Sequence, residues 1–121
     1  MPPYWQTFLE QHHLIGREFS VPVESDLSGE GAEIEILDER GIRVEQTELY
    51  PGIGVSKAGF VPVGRCSIGT GDPYFINTRD GEGGPLYRIY HDQVIDESYD
   101  PASAIATVLK DYRELVKYAD A

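Results

Sequence analysis

The chain is poor in sulfur and in positive charge. Its 121 residues include one cysteine, Cys66, with one methionine and one tryptophan. A single thiol cannot close an internal disulfide, and a structural zinc site draws on several Cys or His ligands. Lys and Arg number 10 against 21 Asp and Glu, a formal net charge of -11. A field of that sign repels a phosphate backbone and an anionic bilayer, so nucleic-acid and membrane partners are disfavoured. No stretch approaches the roughly 20 apolar residues of a membrane-spanning helix. Met1-Pro2-Pro3-Tyr4-Trp5 lacks a basic segment followed by an apolar run, so no signal peptide is read and a cytoplasmic protein is expected.

What remains suits a single domain over residues 1–121. Hydrophobic residues make up 40% and charged residues 26%, the balance of an ordinary globular chain. The acidity has a plain reading, solubility, which charge alone favours. It also has a sharper one, a field that steers in a basic protein partner.

Taken in order, Pro3 to His13 reads as a short helix with Trp5, Phe8 and Leu9 on one face, opened by prolines and stopped at Gly16. Arg17 to Pro22 reads as a short extended piece, and Glu24 to Glu30 as a polar loop. Glu33 to Glu48 reads as a β-hairpin. Ile34 and Ile36 alternate with acids, Asp38-Glu39-Arg40-Gly41 supplies a turn, and Ile42, Val44 and Gln46 resume the alternation. Phe60 to Val63 is a strand whose Pro62 argues for a sheet edge. Strands are expected at Pro73–Thr78 and Pro85–Tyr90, with a last short one at Gln93–Asp96. Asp100 and Pro101 are a good cap and first residue for a helix. Ile105, Val108, Leu109, Tyr112, Leu115 and Val116 then follow helical spacing. The predicted class is α+β: an antiparallel twisted sheet, a short N-terminal helix and a packed C-terminal amphipathic helix.

Few groupings suggest chemistry. Gly69-Thr70-Gly71-Asp72 only loosely resembles a phosphate loop, because no Lys follows and a strand stands where a helix is needed. Gly69, Gly71 and Asp72 are better read as turn formers, with Asp72 accepting from backbone N–H groups. Cys66 with His91 could form a nucleophile and base, but an acidic chain is a poor setting for a reactive thiolate. His91 and Asp92 are adjacent and point apart, and the neighbours His12 and His13 cannot easily share a metal. Asp96, Glu97 and Asp100 do not have the spacing of a calcium loop. Tyr74, Tyr87, Tyr90 and Tyr99 suit packing on the sheet, with some available as partner anchors. The one feature that leans toward function is the acidic set Glu33, Glu35, Asp38, Glu39, Glu45 and Glu48, opposed only by Arg40 and Arg43. Like charges on neighbouring strands cost stability, so the set is either a solubilising, edge-protecting face or a recognition face.

Five segments together carry a family resemblance: Val61-Pro62-Val63-Gly64, Gly71-Asp72 with Tyr74 to Asn77, Gly81 to Gly84, Leu86 to Asp92, and Pro101 to Val116. Their order and spacing resemble the SUKH superfamily, which includes yeast cell-wall synthesis regulators and bacterial relatives. The resemblance spans about half the chain; the acidic stretch in the N-terminal half departs from it. It implies a binding protein without enzymatic activity, catalytic residues, cofactor or metal. Many bacterial members look like immunity proteins that neutralise a co-encoded toxin, often a nuclease or deaminase, inside the producing cell. The partner expected here is therefore a basic toxin domain, bound by a monomer or weak homodimer. A scaffold or regulatory module of the same family is the alternative, and a small Cys66-dependent enzyme a more distant one.

Overall fold

The computed structural model describes residues 2–68 and 72–118. It is an α+β fold built on one six-stranded antiparallel sheet in which every strand pairs with its neighbour in sequence. The strands are β1 (Glu18–Val21), β2 (Ala32–Ile36), β3 (Phe60–Cys66), β4 (Tyr74–Asn77), β5 (Leu86–Ile89) and β6 (Ile105–Leu109). The N-terminal helix α1 spans Pro3–His12, close to the predicted range, although His13 in the left-handed region (φ 55°) ends it before Gly16.

Strand alternation feeds two apolar clusters. The larger gathers Phe19, Ile34, Ile36, Val63, Ile76, Leu86 and Val108 beneath α1. Trp5, fully buried, meets Tyr112 edge to face at 5.1 Å and Phe8 at 5.5 Å. The smaller cluster holds Val55, Phe60, Phe75, Ile89, Val94 and Ala104.

Four predicted elements are corrected. The expected hairpin exists only in its first half. Beyond β2 the chain forms helix α2 (Glu39–Thr47), capped by Asp38, whose carboxylate accepts from Gly41 N at 2.7 Å. Strand β2 already has β1 on one side and β3 on the other, so no edge is left for residues 42–48. Their apolar spacing also suits a helix that buries Ile42.

Pro62 is not at an edge. Strand β3 lies inside the sheet, and Pro62 sits at the register shift between Pro62 and Gly64. A residue without an N–H is tolerated where the ladder is already interrupted. Residues 93–96 form no strand; only an isolated Ile95–Ser98 bridge closes a turn there.

The long C-terminal α-helix is absent. Asp100 does cap Ala102 N at 3.1 Å, but the helix it opens, α4 (Pro101–Ala104), is a single turn. Ile105, Thr107 and Val108 are β-branched, and β6 pairs Ile105 with Ile89 and Thr107 with Tyr87 of β5, Val108 falling at a shift in the register. A 3-10 helix, Tyr112–Tyr118, then buries Tyr112 and Leu115 and packs Tyr118 against the larger cluster. Three-residue spacing belongs to that helix type as well as to the α-helix.

Between α2 and β3 lie α3 (Gly52–Val55) and a 3-10 turn, Ser56–Ala58. No helix among the described residues is long and apolar enough to cross a membrane.

Candidate functional site

The segment from Pro22 to Gly31 leaves β1 and reaches β6, the edge strand at the other end of the sheet order, before returning to β2. Leu27 N donates to Val108 O of β6 at 2.9 Å, and Gly29 and Gly31 turn the chain at positive φ. Asp26 folds the strap locally, accepting from Ser28 N at 2.7 Å and Ser28 Oγ at 2.6 Å. The strap is pinned from below by Arg88 of β5.

Arg88 is 5% exposed, on the same strand face as the core residue Leu86. Its Nη2 donates to Gly31 O at 2.6 Å and Tyr74 Oη at 3.1 Å; its Nη1 reaches Ser28 Oγ at 3.4 Å. Carboxylates compensate the charge, Glu30 at 3.1 Å and Asp26, 4% exposed, at 3.7 Å. Burial opposes the guanidinium charge, but Tyr74, Asp26 and Glu30 together outweigh it and raise the Arg88 pKa. Glu30 also accepts from the Tyr90 hydroxyl. Burial, and then that bond, push the Tyr90 pKa upward. With its donors engaged in this way, Arg88 holds the strap and is not a free cation for an anionic ligand.

Beside the pin opens a cleft of about 330 Å³ between the strap and the ends of β1 to β4. Glu30, Glu33 and Asp72 supply carboxylates to it, and Val21, Val23 and Ile68 apolar walls.

The predicted acidic residues divide into two groups. Glu33 and Glu35 project from β2 on the side away from the larger cluster and stand beside Ser20 and Glu18 of β1. Ser20 Oγ donates to Glu33 at 2.8 Å, and Arg65 of β3 meets Glu35 at 3.2 Å. Glu18 stands directly opposite Glu35 in the ladder, a repulsive pairing. Glu45 comes to this face from α2: burial raises its pKa, and the nearby Arg65 pulls it down by less. Asp38 is occupied as a helix cap, while Glu39 in the first turn of α2 and Glu48 at its C-terminal cap are exposed.

The raised Glu45 pKa gives a signed expectation. Its folded-state value lies above the ordinary 4.5, so ionisation costs stability once pH rises through it. Glu45→Gln is expected to melt slightly higher than wild type at neutral pH. The difference should vanish below about pH 4, where the carboxyl is protonated folded or unfolded. Melting curves at the two pH values check this; a gain that persists in acid would contradict it.

The other predicted residues have structural partners. Asp72 accepts from His91 N at 3.0 Å and lies 2.7 Å from His91 Nδ1. That fits its reading as a backbone acceptor; Gly69 and Gly71 lie outside the described residues. Cys66 packs against the larger cluster, and the hydrogen bonds of His91 go to Asp72. Glu97 pairs with Lys57 at 2.9 Å, and Asp100 caps α4. Among the described residues, no group of three or more His, Cys, Asp or Glu side chains is placed to hold a metal ion. Tyr87 donates to Asp80 at 2.8 Å; burial, then Asp80, push its pKa up to about 12.

Sequence reasoning missed the Arg88 pin and its partners Asp26 and Glu30. The available signal was an arginine at a position whose strand neighbour two residues away, Leu86, faces the core. A charge there needs buried partners. No family model matches the chain, and no curated protein or solved structure matches it either.

Proposed function

We propose that this is a non-enzymatic, cytoplasmic binding protein of the immunity type, which neutralises a basic toxin domain by protein–protein contact. The resemblance of Val61 to Gly64, Tyr74 to Asn77, Gly81 to Gly84 and Leu86 to Asp92 to the SUKH superfamily suggests the role; Pro101 to Val116, which forms a single helical turn, a strand and a 3-10 helix, adds nothing to it. The observation that carries the contact is the acidic face of β1 and β2. Glu18 and Ser20 are exposed there, Glu33 and Glu35 half-buried, and Arg65 is the cation that pairs with Glu35. Repulsion between Glu18 and Glu35 weakens the sheet locally, and a face that bears such a cost gains its use from a cationic partner. On this reading the contact is the β1–β2 face in place of a hairpin surface: Glu33, Glu35 and Glu45 belong to it, and Asp38, Glu39 and Glu48 do not.

If a toxin gene lies beside this one, as the reading expects, its toxin domain provides the test. Calorimetric titration should give a saturable complex that the triple variant Glu18→Lys, Glu33→Lys, Glu35→Lys weakens by at least about a hundredfold, as expected when like charges face each other across an interface. Unchanged affinity of the triple variant would remove the assigned face, and no complex at all would remove the immunity reading.

A further inference from the structure

We propose that the cleft beside Arg88 is an anchor pocket for one arginine or lysine side chain of a basic protein partner. This deepens the binding-protein reading above and rests on it. The cleft, about 330 Å³, can take a long side chain. Pro22, where the strap begins, offers apolar surface to the methylene stem, and Glu33 and Asp72 suit the cationic head, while Glu30 stays with Arg88 and Tyr90. Long basic side chains settle in this way, with the stem along apolar surface and the charge at a polar end.

The charge balance selects the sign of the occupant. Arg88 is the cation in the cleft lining, and Glu30 and Asp26 already compensate it. Asp26 Oδ2, outside the cleft lining and 3.7 Å from Arg88 Nη2, is buried and has no hydrogen-bond donor among the described residues. An anion entering here would meet three carboxylates and a guanidinium whose terminal nitrogens are engaged.

Two further features favour a side chain carried on a protein over a small free amine. Val23 is 56% exposed and Ile68 69% exposed, and both line the cleft. They offer apolar contact outside the charged part, which a partner's flanking residues can cover. Ser20 and Glu33 also belong to both the cleft lining and the acidic β1–β2 face. A partner lying on that face therefore brings a side chain to the opening. Arginine is among the residues enriched at interface hot spots, which sit in pockets ringed by contacts that exclude water.

The probe is a capped Leu-Arg-Leu peptide, with capped Leu-Gln-Leu as control, followed through backbone amide shifts in two-dimensional NMR. The arginine peptide should give saturable shifts at Gly31, Glu33 and Cys66, and the glutamine peptide none. Glu33→Gln with Asp72→Asn should weaken binding by at least about tenfold. Asn at 72 keeps an acceptor for His91 N, and a wild-type melting temperature confirms the fold. Val23→Ser, at an exposed site, should weaken binding with no effect on folding. Equal shifts with both peptides, or shifts spread over Glu18, Glu35 and Glu48 without saturation, would overturn the pocket. A toxin domain that responds to charge reversal on β1 and β2 while the peptide fails to seat would overturn the pocket alone. A peptide that seats while no toxin complex forms would overturn the immunity reading and leave the pocket standing.

Discussion

Arg88→Met is expected to destabilise the fold by roughly 3–5 kcal/mol, the usual cost of removing one partner from a buried ion pair. The Asp26 side chain is fully buried and lies 3.7 Å from the guanidinium. Without Arg88 it becomes a buried charge with no counter-ion. Gly31 O and the Tyr74 hydroxyl lose their donor at the same time, and the strap loses its attachment to β5. Methionine fills similar volume, so a cavity contributes little. Adding Asp26→Leu should recover only part of the loss: it removes the uncompensated buried charge, but it also removes the acceptor of Ser28 N and leaves Gly31 O without its donor. Urea titration of the three proteins checks this through the shift in midpoint. A loss under about 1 kcal/mol, in the range of an exposed pair, would show that Arg88 does not pin the strap.

Gly54→Ala is the second substitution with a large expected effect, on the order of 3 kcal/mol destabilising. Glycine inside a helix normally costs about 0.5–1 kcal/mol relative to alanine, so helix propensity alone predicts a gain. Space decides otherwise. A Cβ at position 54 would lie 2.0 Å from Asp96 O and 2.8 Å from Val94 Cγ1. The first of these is backbone, in a turn where Asp96 itself adopts φ 56°, and it cannot swing aside as a side chain could. Helix α3 would have to lift away, opening the smaller cluster around Val55 and Val94. A variant as stable as wild type in urea would mean that the 94–98 turn moves freely from α3.

Short elements with one dominant signal were legible in the sequence. Trp5, Phe8 and Leu9 marked α1; Tyr74 to Asn77 and Leu86 to Ile89 marked β4 and β5 with the correct faces; Asp100 and Pro101 marked a helix start. The errors arose where one apolar spacing fits two structures. Residues 105–116 carry i, i+3, i+4 spacing, yet tertiary pairing with β5 draws Ile105 to Leu109 into a strand. Residues 39–47 read as a turn and a strand because Ile42, Val44 and Gln46 alternate, but the same spacing fits a helix, and the occupied edges of β2 decide for it. The acidic residues were visible from composition, but their grouping was not. It depends on β2 lying between β1 and β3, which brings Glu18 and Arg65 to the same face. The strap was illegible for a related reason. Asp26 and Glu30 lie about 60 residues from Arg88, and no local pattern links them.

The proposed electrostatic recognition of a basic protein by the β1–β2 face is tested most directly by the association rate with a candidate basic toxin domain as salt is raised. Steered encounter predicts a wild-type rate that falls steeply with ionic strength. It also predicts a Glu18→Lys, Glu33→Lys, Glu35→Lys variant at least about tenfold slower at low salt, with a much flatter dependence. Equal rates and equal salt slopes for the two proteins would contradict the claim.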